Sequence, residues 1–107
     1  MANRYWVGGT GNWSDDDNHW ATSSGGTPAN GNLPTGGDDV FIDENSGFSG
    51  GGTITMDYHG YCTNFESSSG NEFTISGSFS LTVQGNFTLE SGITWDGPKV
   101  IFGLMTV

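Results

Sequence analysis

The chain has 107 residues, enough for one domain or one domain with a cap. Its 12 acids against 2 bases give a formal charge of −10, and the two bases, Arg4 and Lys99, are far apart in sequence. Binding a phosphate backbone or an anionic membrane surface needs clustered cations, so the composition excludes nucleic acid and membrane as partners.

The 19 Gly, together with many Ser, Thr and Asn and no amphipathic run of three helical turns, predict an all-β chain with tight turns. Aromatic residues make up 13% of the chain, too many for a disordered linker, so the Gly punctuates strands. No apolar run is long enough for a membrane helix. Met1 to Val7 has no apolar signal core. A role outside the cell would then be reached by another route, such as a virus particle released by lysis.

Arg4 to Val7 reads as a short strand stopped by Gly8 and Gly9. Trp6, Trp13 and Trp20 follow at intervals of seven, but Gly8, Gly9 and Gly11 break any helix that would make a stripe of them. The segment is predicted to fold as a loop whose indoles turn inward as an aromatic plug, with Asn and Asp capping its turns. Ala21 to Gly37 is a surface loop, and Val40-Phe41-Ile42-Asp43 is the first strand of the main body. Phe48 lies in the Gly-rich turn from Ser46 to Gly52.

From Thr53 onward one tetrapeptide pattern recurs: apolar, Thr, apolar, polar. It appears as Ile54-Thr55-Met56-Asp57, Phe73-Thr74-Ile75-Ser76, Leu81-Thr82-Val83-Gln84, Phe87-Thr88-Leu89-Glu90 and Ile93-Thr94-Trp95-Asp96. Alternation of this kind places the apolar side chains on one face of a half-buried strand. Nineteen residues separate Ile54 from Phe73, and twenty separate Phe73 from Ile93. Eight beyond each start stand Cys62, Leu81 and Ile101. A return at about 20 residues predicts a short parallel β-helix (a β-solenoid) whose coils stack their apolar side chains. The match is incomplete, because Ser67-Ser68-Ser69 stands in the first coil where the second has the Phe87 strand. Short strands with Gly turns also serve an antiparallel β-sandwich, which is the alternative. The division expected is residues 1–43 as a Trp- and Gly-rich cap with the first strand, and 44–107 as coils. Val100 to Val107 is the most apolar stretch. It points either to a piece of something longer or to burial against another subunit.

The run Tyr5-Trp6-Val7-Gly8-Gly9-Thr10-Gly11-Asn12-Trp13-Ser14-Asp15, then His19-Trp20, then Pro34 and Asp38-Asp39-Val40-Phe41-Ile42-Asp43, resembles the opening module of large β-helical proteins. It is similar to segments of tailed-phage virion structural proteins and of bacterial adhesin passengers. There the module is a structural cap rather than a site. The resemblance covers about the first 43 residues. Without a signal peptide, it implies a virion component more than an adhesin.

Chemistry-bearing residues point to no centre. Asp15, Asp16 and Asp17 with Asn18 offer oxygen ligands for Ca²⁺ but lack the spacing of an EF-hand loop, and read as a solvated acidic turn. Asp38, Asp39, Asp43 and Glu44 flank a strand, with Asp39 and Asp43 on one side. Paired carboxylates can hydrolyse glycosides, but such enzymes line a groove over many coils. His19, His59 and the single Cys62 are too few for a zinc site. Cys62 is expected as a small buried residue. No Gly-x-Ser-x-Gly elbow occurs. Tyr58, Tyr61 and Trp95 are candidates to stack on sugar rings, although the register of Trp95 with Ile93 favours the core.

The sequence thus predicts a non-enzymatic structural virion protein of a tailed bacteriophage: a capsid decoration, fibre or tail-associated subunit. Its expected partners are other virion proteins (capsid or tail), copies of itself as a homo-oligomer, and a host surface glycan, with no nucleic acid and no membrane. No catalytic, cofactor or metal residues are assigned. The alternative is an extracellular adhesin or carbohydrate-binding module.

Overall fold

The computed structural model describes residues 2–68, 72–90 and 92–102. Its elements in chain order are β1 (Asn3–Trp6), β2 (Gly11–Asn12), α1 (Asp16–His19), β3 (Trp20–Ala21), β4 (Asp39–Ile42), β5 (Thr53–Met56) and β6 (Gly60–Cys62). They continue with β7 (Phe65–Ser67), β8 (Phe73–Gly77), β9 (Leu81–Val83), β10 (Phe87–Leu89), β11 (Ile93–Asp96) and β12 (Val100–Phe102). Among the described residues the chain is all-β apart from the helical turn of α1.

The strands form three sheets, ordered β10-β7-β4-β1-β3, β11-β8-β5-β2 and β12-β9-β6. From β4 onward the chain visits the first, second and third sheet in turn and then returns to the first. Each visit lays a strand beside the one laid on the previous pass. Every pairing is parallel except β1 with β3, which is antiparallel and closes the outer edge of the first sheet. We call each pass through the three sheets a rung: β4–β6, β7–β9 and β10–β12, with β1 and β2 beneath them.

The alternation seen in the sequence decides which side chains point inward. Val40, Phe65 and Phe87 share one register column of the first sheet, and Ile42, Ser67 and Leu89 share the next. Ile54, Ile75 and Trp95 form a column in the second sheet. Cys62, Val83 and Phe102 form one in the third. In the first two rungs these inward residues are buried, and each large apolar one contributes roughly 2 kcal/mol by leaving water. Thr53, Thr74 and Thr94 line the opposite face of the second sheet. Polar turns are stacked too: Asn64 donates from Nδ2 to Asp39 Oδ1 at 3.0 Å and accepts from the Asn86 backbone N–H at 2.8 Å. Gly77 pairs with Met56 at positive φ, and a Cβ there would lie 2.6 Å from the Met56 carbonyl oxygen. Only glycine lets the two rungs approach so closely.

Below the rungs, Trp6, Trp13 and Trp20 are buried, turned inward as the Gly-broken segment predicted, with Trp6 and Trp20 on the short strands β1 and β3. Trp20 meets Trp6 edge-on at 5.1 Å and Trp13 at 4.9 Å between ring centroids. Two of the indole N–H groups are satisfied by backbone carbonyls, Trp6 Nε1 donating to Gly9 O and Trp20 Nε1 to Trp13 O, both at 2.8 Å. His19 stacks flat on Trp6 at 4.4 Å and fills the space above Gly11, where a Cβ would overlap the imidazole. The plug is joined to the body by strands as well as rings, since β1 pairs with β4 and β2 with β5.

The register corrects the equivalences read from the sequence. Ile54 pairs with Ile75 rather than Phe73, and Cys62 with Val83 rather than Leu81. A shift of two residues preserves the face, so these residues still point inward. Leu81, however, pairs with Val100 rather than Ile101, a shift of one. It turns Ile101 outward, because the corner before β12 is one residue shorter than the corner before β9. The first coil also has its third strand: β7 pairs with β10, Phe65 beside Phe87, and takes in Ser67, the first of the three serines. Of the apolar terminal stretch, Val100–Phe102 forms β12, and residues 103–107 lie outside the described residues.

Candidate functional site

Most of the carboxylates flagged in the sequence hold loops in place. Asp15 accepts both contacts from Asn18 Nδ2 at 3.2 and 3.0 Å, and Asp16 accepts the Gly31 N–H at 2.9 Å. Asp38 takes the Thr35 N–H at 2.8 Å and its hydroxyl at 3.0 Å, and faces Arg4 Nε at 3.9 Å. Asp43 binds Ser24 Oγ at 2.6 Å and the Asn45 N–H at 2.9 Å. Asp39 and Asp43 flank the same strand, yet each is tied to a different loop residue. Among the described residues, no three His, Cys, Asp or Glu side chains gather as a metal site.

The two histidines sit in different surroundings, His19 in the plug and His59 at an exposed corner. Cys62 is fully buried, and burial first, then the negative charge of Asp39, pushes its thiol up to about 12. It stays protonated at neutral pH and is no nucleophile.

Two surfaces remain. The first is the end of the stack. Phe87, Leu89, Ile93, Trp95 and Val100 are only half-buried, and Phe102 is 58% exposed. One rung earlier, Phe65, Phe73, Ile75, Leu81 and Val83 occupy the same columns and are buried. The difference is that the earlier rung has another above it. Strands β10, β11 and β12 each stand at the edge of their sheet. Among the described residues nothing pairs with their outer edges.

The second surface is the corner between the second and third sheets. Tyr58 is 54% exposed, Tyr61 45% and Phe79 38%. The corners of successive rungs, residues 57–59 and 78–80, have equal length, because Met56 pairs with Gly77 and Gly60 with Leu81. Tyr58 and Phe79 thus hold the same backbone position in the corners of successive rungs. Phe79 meets His59 edge-on at 4.9 Å. The ring of His59 is fixed by Ser80, whose backbone N–H lies 3.3 Å and whose Oγ 3.0 Å from Nδ1. Asp57, at the foot of the corner, is held by Ser14 through its N–H at 3.0 Å and its hydroxyl at 2.6 Å.

Of the three predicted sugar-stacking aromatics, the structure brings Tyr58 and Tyr61 to this corner. Trp95 is elsewhere: it packs edge-on against Phe65 and Phe87, and its Nε1 donates to Pro98 O at 2.6 Å. Phe79 and His59 were not linked to the corner by sequence reasoning. The signal that would have found them is the equal length of the two corners, hidden while the strands were aligned two residues out of register. A shallow cleft of about 240 Å³ on the opposite corner is lined by Gly51, Gly52, Glu72, Thr74, Gly92 and Thr94. Among the described residues that line it, Glu72 is the one charged group, and no His, Cys or Lys joins it. Comparison with protein-family models, with curated proteins and with solved structures finds no match.

Proposed function

We propose that the chain is a short parallel β-helix with an aromatic cap, acting as a non-enzymatic structural protein of a tailed-phage virion through assembly and docking. One observation carries the assembly reading: the last rung leaves half-open the same inward columns that are buried one rung earlier. Among the described residues, half-open apolar columns lie beside unpaired strand edges, and such a surface suits docking by another rung-like end, whether on a virion protein or on a second copy. The phage setting rests on the resemblance of the first 43 residues to the phage cap module and on the acidic surface, which repels packaged nucleic acid.

The test is mass spectrometry of gradient-purified tailed particles from a host carrying the gene. The chain is expected among the particle proteins at a fixed ratio to the major capsid protein, and its recovery should drop in a Phe102→Glu variant. Particles that assemble at full yield without the chain, or that never contain it, overturn the reading.

A further inference from the structure

We propose that the exposed corner formed by Tyr58, Phe79, Tyr61 and His59 is a binding site for a neutral oligosaccharide. The inference goes beyond the assembly reading, since the corner lies on the side of the stack and not at its open end.

Three observations lead to it. The first is the arrangement of rings. Tyr58 and Phe79 repeat at one corner position, and Tyr61 stands a few residues on, at the outward column shared with Thr82 and Ile101. The C–H faces of a pyranose are apolar and slightly positive, so they pack on the negative face of an aromatic ring. Exposed aromatic side chains at the same corner position of successive rungs, with Tyr61 on the adjoining strand, offer apolar surface to one or two sugar units.

The second is a fixed polar group beside the rings. The Ser80 backbone N–H must donate, so His59 Nδ1 accepts and the proton sits on Nε2. Among the described residues, no partner takes that N–H. It is a donor already oriented by Ser80 and by its edge contact with Phe79, and it costs little ordering when a hydroxyl accepts from it. The Tyr58 and Tyr61 hydroxyls and Thr82 add groups that both donate and accept. An apolar platform with interspersed donors and acceptors fits a polyhydroxylated ligand better than a protein face. Protein interfaces need a broader apolar centre than three rings supply.

The third is charge. The corner and its continuation carry Asp57 and Asp96 against Lys99, and the chain as a whole is at −10. A uronate or sialylated glycan meets net repulsion here, whereas a neutral hexose chain meets none.

The experiment is a glycan array of neutral hexose oligosaccharides, with uronate and sialylated glycans printed alongside. It is probed with the full chain, and the best neutral oligosaccharide is then titrated by NMR. Binding to neutral glycans is expected, weakened at least about tenfold in Tyr58→Ala and in Phe79→Ala. Both side chains are exposed, so unchanged thermal melts should accompany the loss. His59→Ala should weaken binding, and His59→Gln, which keeps an N–H donor, should restore part of it. No neutral glycan retained at millimolar concentration, preference for the anionic glycans, or binding untouched by a Tyr58→Ala/Phe79→Ala double variant would each overturn the site. None of these results bears on whether the chain is found in particles, so this site and the assembly role fail separately.

Discussion

Ser67 stands in an inward column of the first sheet between Ile42 and Leu89, where every neighbour along the column is aliphatic. It is buried, and among the described residues its Oγ has no hydrogen-bond partner. A hydroxyl taken out of water without a partner costs about 1–3 kcal/mol. Removing it relieves that cost and leaves the packing volume almost unchanged. Ser67→Ala is therefore expected to raise stability by about 1 kcal/mol, read as a higher urea midpoint with an unchanged slope. A lower midpoint would mean that the hydroxyl has a partner in the folded protein. Ser67 also shows how a single residue obscured the pattern. Its polarity made the strand Phe65–Ser67 look like a serine-rich turn, and the run Ser67-Ser68-Ser69 reinforced that impression.

At the scale of the element, a strand's worth depends on whether it has neighbours on both edges. Phe65 and Phe87 are stacked in the same column at 5.2 Å, and both are phenylalanines on three-residue strands. Phe65 lies between β4 and β10 and is 1% exposed, whereas Phe87 has β7 on one side only. Truncation of a fully enclosed phenylalanine costs about 3–5 kcal/mol in transfer and cavity terms. Phe65→Ala should lose that much in equilibrium unfolding, and Phe87→Ala clearly less, about 1–2 kcal/mol. Equal losses would imply that β10 is as enclosed as β7. This asymmetry also explains what could be read in advance. Alternation alone placed Ile54, Ile75, Leu81 and Val83 inward, because a two-residue error in register leaves the face intact. The indole plug was legible because three tryptophans among glycines have nowhere stable to go but the interior. At the exposed corner Tyr58 and Tyr61 were legible as exposed aromatics, but the placing of Phe79 and His59 beside them was not. It depends on which corner residue stacks over which, and that is set by inter-rung hydrogen bonds such as Gly60 N–H to Ser80 O at 2.9 Å. Ile101 was misplaced for the same reason, since one missing residue in a corner reverses every later side chain in that strand.

Across the whole molecule, contacts run mainly between a rung and the next, so stability should pass along the stack rather than being shared evenly. At one end the plug seals the stack: β3 covers the edge of β1, Val7 N–H is bound to His19 O at 2.8 Å, and Trp13 N–H to Thr55 O at 2.8 Å. At the other, among the described residues, β10, β11 and β12 have one paired edge each, and their inward side chains are half-open or exposed. Local opening needs less free energy where fewer apolar contacts must be broken, so the last rung should open alone before the rest unfolds. Native-state hydrogen exchange is expected to rank the amides accordingly. Those of β4, β5, β7 and β8 should exchange only through global unfolding, while those of β10, β11 and β12 should exchange through smaller openings with a weak denaturant dependence. Adding a partner that docks on the open end should bring the last rung up to the protection of the middle ones, with no change at β4 or β5. Uniform protection along the free chain would show instead that the final rung is as securely held as the interior, and the end would then have no free energy of ordering left to gain from docking.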